Sequence, residues 1–389
     1  MTRVIFLIIS LLTAILTSPS GAFCADTPAA DTMLRVLIID DVNFITLYIK
    51  DPYTISAGGS GKTLLSGPCI ETKIAAVKDG LYIRDRQFGV SGVSIKSGGD
   101  SKIFLNKKPF RGDIEVVKKP NGKLMVINVI DVEDYLYGVL YNEVSHKWPM
   151  EALKAQAIAA RTFALYEAKK TSSQPYDLRS DVYSQVYSGS DFERWSTRKA
   201  VDATKGEVLT YDRELIPAYY HAACSGGTED ASVLWKVDMP PLKGVACDFC
   251  RGSKYYTWIK DIPLWNLEKR LRDGGYDIGS IVSVKILSKN RSGRVGRLAI
   301  TDSVGRSVDI TGKDFRQLVG PDELRSVKFD ASVAWGQLII EGRGWGHGVG
   351  MCQWGAYGQS RKGKKAEDIL GYYYPGAAIV TIDKVKSRP

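Results

Sequence analysis

Between Tyr135 and Tyr166 the apolar residues recur every three to four positions, as they do on one face of a helix. Leu136, Val139, Leu140 and Glu143 share such a face, so a carboxylate ends a stripe that is otherwise apolar. A second helix is predicted to open at Pro149, with Glu151 in its first turn, where the helix dipole favours an acid. Leu153, Ala157, Ala160 and Ala164 then form a stripe of mostly small residues that lets another backbone approach closely.

Elsewhere the pattern has period two. Residues 33–117 alternate short β-branched runs (LRVLII, FITLYI, VSIKS, IEVV) with Gly and Asp turns, which predicts antiparallel strands, and KLMVINVI feeds the helical hairpin. Strands and loops return over 206–254, and alternation returns over 281–341. Two short helices are predicted near the end, at 353–361 and 366–374, the second stopped by Pro375 and Gly376. Runs of strands with clustered helices define an α+β class, mostly antiparallel sheet around a central Ala-rich hairpin.

From Gly342 to Gly350 every second residue is glycine. In an extended strand these would leave one face as bare backbone, with Arg343, Trp345, His347, Val349 and Met351 on the other. That face suits close approach by a polymer, with Trp345 stacking on a sugar ring, or tight packing against the Ala-rich helix. Met351 stands where a dinucleotide fingerprint needs its third glycine, and Ser56 where a phosphate loop needs its first, so neither nucleotide motif is complete.

The chain has 389 residues, 44% hydrophobic and 25% charged, enough for a sizeable core and about two domains. Arg3 followed by VIFLIISLLTAILT and then Ser18 to Ala22 reads as a signal peptide over 1–25, cleaved after Ala22 or Ala25. The run is short for a spanning helix, so membrane attachment would come only through an uncleaved anchor. Net charge is +10, which suits either an acidic partner or an ordinary solubilising basic surface. For an exported chain an acidic partner would be the cell wall rather than nucleic acid.

His221, Cys224, Cys247 and Cys250 combine a His-x-x-Cys with a Cys-x-x-Cys, a ligand set for a closed structural zinc site. Export equally allows a disulfide among these cysteines. Cys69 and Cys352 have no evident partner and read as buried thiols.

Glu143 is the candidate general acid, since a carboxyl kept from water holds its proton to higher pH. The competing reading makes it a solvated helix-end residue or the partner of Arg161. Ser225 has Ala223 where a G-x-S-x-G nucleophile elbow needs its first glycine, and reads as a turn residue.

Two segments, Glu143 with WPMEALKAQAIAART and the later GRGWGHGVGMCQWGAYGQ leading to YYPG, resemble the stage II sporulation protein D and amidase-enhancer family (SpoIID/LytB). Weaker similarity in LRVLIID, DVYSQVYSG and IPAYYHAACSGGTED extends the resemblance over most of the chain after residue 30. It implies a region 118–389 carrying the activity, with a Cys/His segment at 216–254, behind an N-terminal β-rich region at 31–117. It also implies a periplasmic or cell-envelope protein acting on peptidoglycan glycan strands stripped of their stem peptides, as a lytic transglycosylase or as an enhancer of a separate wall amidase. Glycosidic hydrolysis uses two carboxylates, whereas a transglycosylase works with one, because the muramic 6-hydroxyl closes a 1,6-anhydro ring. Glu143 would then serve as acid and base, needing no cofactor, with Arg161, Gln185, Tyr187, Trp345, His347 and Gln353 as substrate-binding candidates. His347 reads alternatively as a structural donor in a turn. A third reading is a zinc amidase using His221 and His347.

Overall fold

The computed structural model describes residues 32–99, 101–181, 184–191 and 193–385. The expected signal segment, with Arg3 and Cys24, lies outside them. The fold is α+β, with eight α-helices among the described residues: α1 (Val132–Glu143), α2 (Met150–Lys170), α3 (Trp195–Asp202), α4 (Ala231–Trp235), α5 (Leu264–Asp273), α6 (Gly312–Val319), α7 (Gln353–Ser360) and α8 (Ala366–Tyr373). None of these helices is long and apolar enough to cross a membrane.

Two sheets make up the N-terminal part. A seven-stranded sheet runs in the order 178–179, 33–42, 124–131, 113–118, 92–97, 53–57 and 63–67. A six-stranded sheet runs 108–110, 103–105, 44–49, 70–77, 80–83 and 86–88. Strand 124–131 pairs antiparallel with both 33–42 and 113–118, so the first sheet continues across the boundary expected at 117/118. Alternation along 44–49, with Ile45, Leu47 and Ile49 buried and the residues between them exposed, is the period-two pattern of a strand with one face on a core.

α1 leaves strand 124–131 at Asp131, whose side chain caps the backbone N–H of Glu133 at 2.9 Å. Val132, Leu136, Val139 and Leu140 of α1 and Leu153, Ala157, Ala160 and Ala164 of α2 join the core of the two sheets. The opposite side of α2, Ala155, Ile158 and Ala159, belongs to a second core with α7, α8 and residues 209–250. A helix of small residues is thus apolar on both sides because it is wedged between two cores. A third core lies within 258–342, where α5 and α6 pack with the three-stranded sheets 258–263/337–342/329–334 and 281–289/295–302/307–311. α5 is amphipathic, with Leu267 and Leu271 buried and charges on its other faces.

The glycine run does not form the extended strand that alternation predicts. Strand 337–342 ends at Gly342, and Gly344, Gly346, Gly348 and Gly350 all have positive φ, which a regular strand does not use. Nor is their backbone open to a polymer. A Cβ on Gly350 would collide with the Tyr219 carbonyl, and one on Gly348 would fall within the Arg294 guanidinium. The run is a tight crossing over 219–224, held by the short parallel pair 220–221/351–352 and by the Ala223–Trp345 bridge.

Candidate active site

Glu143 is the last residue of α1, after which Val144 is extended and the chain turns toward Pro149. The negative end of the helix dipole lies there, which disfavours a carboxylate. The residue is partly buried, and burial pushes its pKa up from 4.5 to about 6, against the opposing hydrogen bonds of Val186, Gln353 and Tyr220. Its three partners are neutral donors. The Val186 N–H donates to Oε1 at 3.3 Å, and the Gln353 amide donates to Oε2 at 3.3 Å. The third is the hydroxyl of Tyr220. Among the described residues, no charged group contributes to the shift. Such a carboxyl can hold a proton near neutrality and still be hydrogen-bonded after losing it.

Tyr220 is itself oriented from behind. Gln185 Nε2 donates to its hydroxyl at 2.8 Å and to the Ala160 carbonyl at 3.2 Å, while Gln185 Oε1 accepts from the Tyr135 hydroxyl at 3.1 Å. With its oxygen accepting from Gln185, the Tyr220 proton is left for Glu143. Burial raises the Tyr220 pKa well above its ordinary value, so it stays a donor. The pairing Tyr220↔Met351 brings this tyrosine beside the start of α7, hence beside Gln353. Gln353 Nε2 also lies 3.4 Å from Oε1 of Gln156 on α2. Beyond Glu143 the loop residue Trp148 meets Trp354 and Tyr357 of α7, with ring centroids 5.4 and 5.2 Å away.

Of the residues expected to bind substrate, the structure brings Gln353 to Glu143 directly and Gln185 through Tyr220, but Gln185 is buried behind the site. Arg161 is no cleft residue. It is fully buried, forks onto Glu133 at 2.9 and 2.6 Å, and also donates to the Glu207 and Val201 carbonyls. Its partner is Glu133, not Glu143. Tyr187 is buried with its hydroxyl on Asn128 at 2.9 Å and its ring against Gly138, a packing role. Trp345 sits edge-on to Tyr255 at 4.4 Å with the Arg325 guanidinium 5.6 Å from its ring.

His347 donates from Nε2 to the Tyr220 carbonyl at 2.8 Å and accepts at Nδ1 from Val349 N–H at 3.1 Å. With both nitrogens used, it is the structural turn residue and has no lone pair for a metal. The His221–His347 amidase reading therefore loses a ligand, although the rings lie 5.6 Å apart. Burial pushes the His347 pKa down to about 3 and holds His221 well below its usual value.

The cysteine cluster also differs from the expected set. Cys224, Cys247, Cys250 and Cys352 place their sulfurs within 4.8 Å of one another, all buried. His221 is not among them; its Nδ1 faces the Val349 carbonyl at 3.1 Å. The parallel pairing His221↔Cys352 explains the exchange, because it delivers the cysteine of the second strand to the cluster. Sequence spacing could not show this, since Cys352 lies 128 residues after Cys224.

Tyr220, Gln156, Trp148 and Trp354 were not anticipated. All four lie within segments that carry the family resemblance, which is the available signal. A separate cavity of ≈ 690 Å³, lined by Lys102, Ser190, Glu193, Trp195, Arg198, Lys199 and Asp202, does not include Glu143.

The scaffold is α+β and holds one acid among neutral donors, and comparison with known proteins identifies the family. The SpoIID family, described as Stage II sporulation protein, matches residues 120–211, and a domain of unknown function (DUF8618) matches 248–350. An uncharacterized protein of Brachyspira hyodysenteriae is 34% identical over 361 residues, 92% of this chain and 96% of that protein. Stage II sporulation protein D of Bacillus amyloliquefaciens is 30% identical over 67% of this chain and 77% of its own length. The amidase enhancer of Bacillus subtilis is 26% identical over 63% of this chain and 40% of its own. The chain belongs to the SpoIID family.

Proposed function

We propose that this protein acts in the cell envelope as a peptidoglycan lytic transglycosylase on glycan strands freed of stem peptides. The observation that carries the reading is Glu143: a partly buried carboxyl with its pKa raised to about 6 and neutral partners alone. As acid it protonates the glycosidic oxygen and releases the leaving sugar. As base it then takes the proton of the muramic 6-hydroxyl, which attacks the anomeric carbon and closes the 1,6-anhydro ring. No water enters, so no second carboxylate is required. Tyr220, Val186 N–H and Gln353 stabilise the carboxylate formed between the two steps. Trp148 and Trp354, which follow Glu143 and Gln353 in the chain and meet with ring centroids 5.4 Å apart, are the aromatic candidates for stacking on sugar rings.

The test is mass spectrometry of soluble products from amidase-treated sacculi. Wild type should release anhydro-muramyl fragments and Glu143→Gln none, with glycan binding retained. Equal release by the variant would remove Glu143 from the mechanism.

The likeness to an amidase enhancer favours a second reading, a wall-binding protein that stimulates a separate amidase. On that reading the purified protein accelerates the amidase and releases no fragments itself.

A further inference from the structure

We infer that Cys224, Cys247, Cys250 and Cys352 form a tetrathiolate structural zinc site that fixes the start of α7, and with it Gln353, against Glu143. The geometry suits the ion. Four sulfurs about 2.3 Å from a tetrahedral zinc stand about 3.8 Å apart. Here Cys224 and Cys250 sulfurs are 3.6 Å apart, and all four fall within 4.8 Å of one another. The set is closed, with no open position for a reacting group, so the role is structural.

The surroundings suit thiolates rather than thiols. Backbone N–H groups of Cys224 and Gly355 each point at Cys352 Sγ from 3.3 Å, the second from the first turn of α7. Such N–H donors fix and stabilise metal-bound sulfur. Arg294, fully buried, donates to the Gly227 and Cys224 carbonyls at 3.1 and 3.5 Å, and its Nε has no partner. Lys328 donates to the Ser225 carbonyl at 2.8 Å. Glu229 is the carboxylate near Arg294, and its oxygens are taken by Asn290, Ser292 and the Asp230 N–H. Buried Arg294 and half-buried Lys328 against the Glu229 carboxylate leave a positive excess, which is costly without further negative charge. Zinc binding releases four thiol protons and leaves a net dianion on the four-sulfur site.

The consequence reaches the acid. Cys352 caps α7, its chain neighbour Gln353 donates to Glu143, and Cys224 closes the loop that starts at Tyr220, the other donor. The ion therefore ties together the two segments that supply two of Glu143's three partners. The role given to Gln353 and Tyr220 rests on the proposed function, whereas the ion itself does not.

The experiment measures metal by mass spectrometry in the purified full chain, prepared with reductant and zinc and then desalted. One zinc per chain is expected, retained in Cys69→Ser and His221→Ala and lost in Cys352→Ser. If Cys352→Ser does not fold, cobalt is loaded into wild type, where four thiolates give intense sulfur-to-metal charge transfer and tetrahedral ligand-field bands. A folded wild type without zinc, loss of zinc in His221→Ala with retention in Cys352→Ser, or a cobalt spectrum of fewer thiolates overturns the assignment. So does peptide mapping of protein exported by its native host that finds these cysteines paired as disulfides. None of these readouts needs glycan cleavage, so they stand apart from the test of Glu143.

Discussion

Gln353 reaches Glu143 across 210 residues of chain, with its amide nitrogen 3.3 Å from the carboxylate oxygen, and this bond holds the Glu143 pKa lower than burial alone would set it. Replacing Gln353 by Met keeps the volume and removes the donor. The Glu143 pKa should then rise above about 6, and the alkaline limb of the pH profile for fragment release should move to higher pH. A fall in rate with an unmoved limb would assign Gln353 to substrate contact alone.

Glu143 should cost the folded protein stability. Its folded pKa of about 6 exceeds the ordinary 4.5, so the native state binds more protons than the unfolded chain in that window. Stability from this group is present below pH 4.5 and lost as pH rises through 6. A shift of this size corresponds to about 2 kcal/mol at neutral pH. Glu143→Gln, which carries no charge, should therefore melt higher than wild type at pH 7.5 and lose that advantage at pH 4. An advantage independent of pH would mean that burial of the charge is not its source.

The helical hairpin and the two closing helices were legible because their signals are local. Apolar period, a proline near the start of α2 and Pro375–Gly376 after α8 fix them within a residue or two. Glu143 was legible for the same reason, as a carboxylate on an apolar stripe. The rest depends on contacts between distant segments. Arg161 looked available because its charge was visible while Glu133, 28 residues earlier, was not recognised as its partner. The alternating glycines mimic a strand in sequence, whereas their spacing serves positive φ. His221 and Cys352 exchange places in the cysteine cluster through a two-residue strand pair that no periodicity reveals.

Arg161 should prove a folding residue. Its guanidinium fills both Glu133 oxygens and two carbonyls, and Glu133 also accepts from the Gly206 N–H at 2.9 Å. Arg161→Met leaves that carboxylate without its cation and should cost about 3–5 kcal/mol in denaturant unfolding. Lysine should rescue poorly, since an ammonium cannot fork onto both oxygens. A variant of native stability with weakened glycan binding would instead make Arg161 a substrate-binding residue.

Gly350 offers the sharpest test of how the glycine run works. Its φ of 67° lies in the left-handed region, and an added methyl would collide with the Tyr219 carbonyl, which itself accepts from the Met351 N–H at 3.0 Å and the Tyr374 hydroxyl at 2.7 Å. Strain and displacement of that carbonyl act together in Gly350→Ala, so a loss of about 2–4 kcal/mol is expected. Gly363 also has positive φ, at 80°, but nothing stands within 4 Å of its would-be Cβ, so Gly363→Ala should cost about 1 kcal/mol, the conformational part alone. If the run instead presented bare backbone to a polymer, Gly350→Ala would unfold like wild type and fail in sedimentation with denuded sacculi. Parallel urea melts and sedimentation of the two variants separate these outcomes, and close packing requires that the loss at Gly350 exceed that at Gly363.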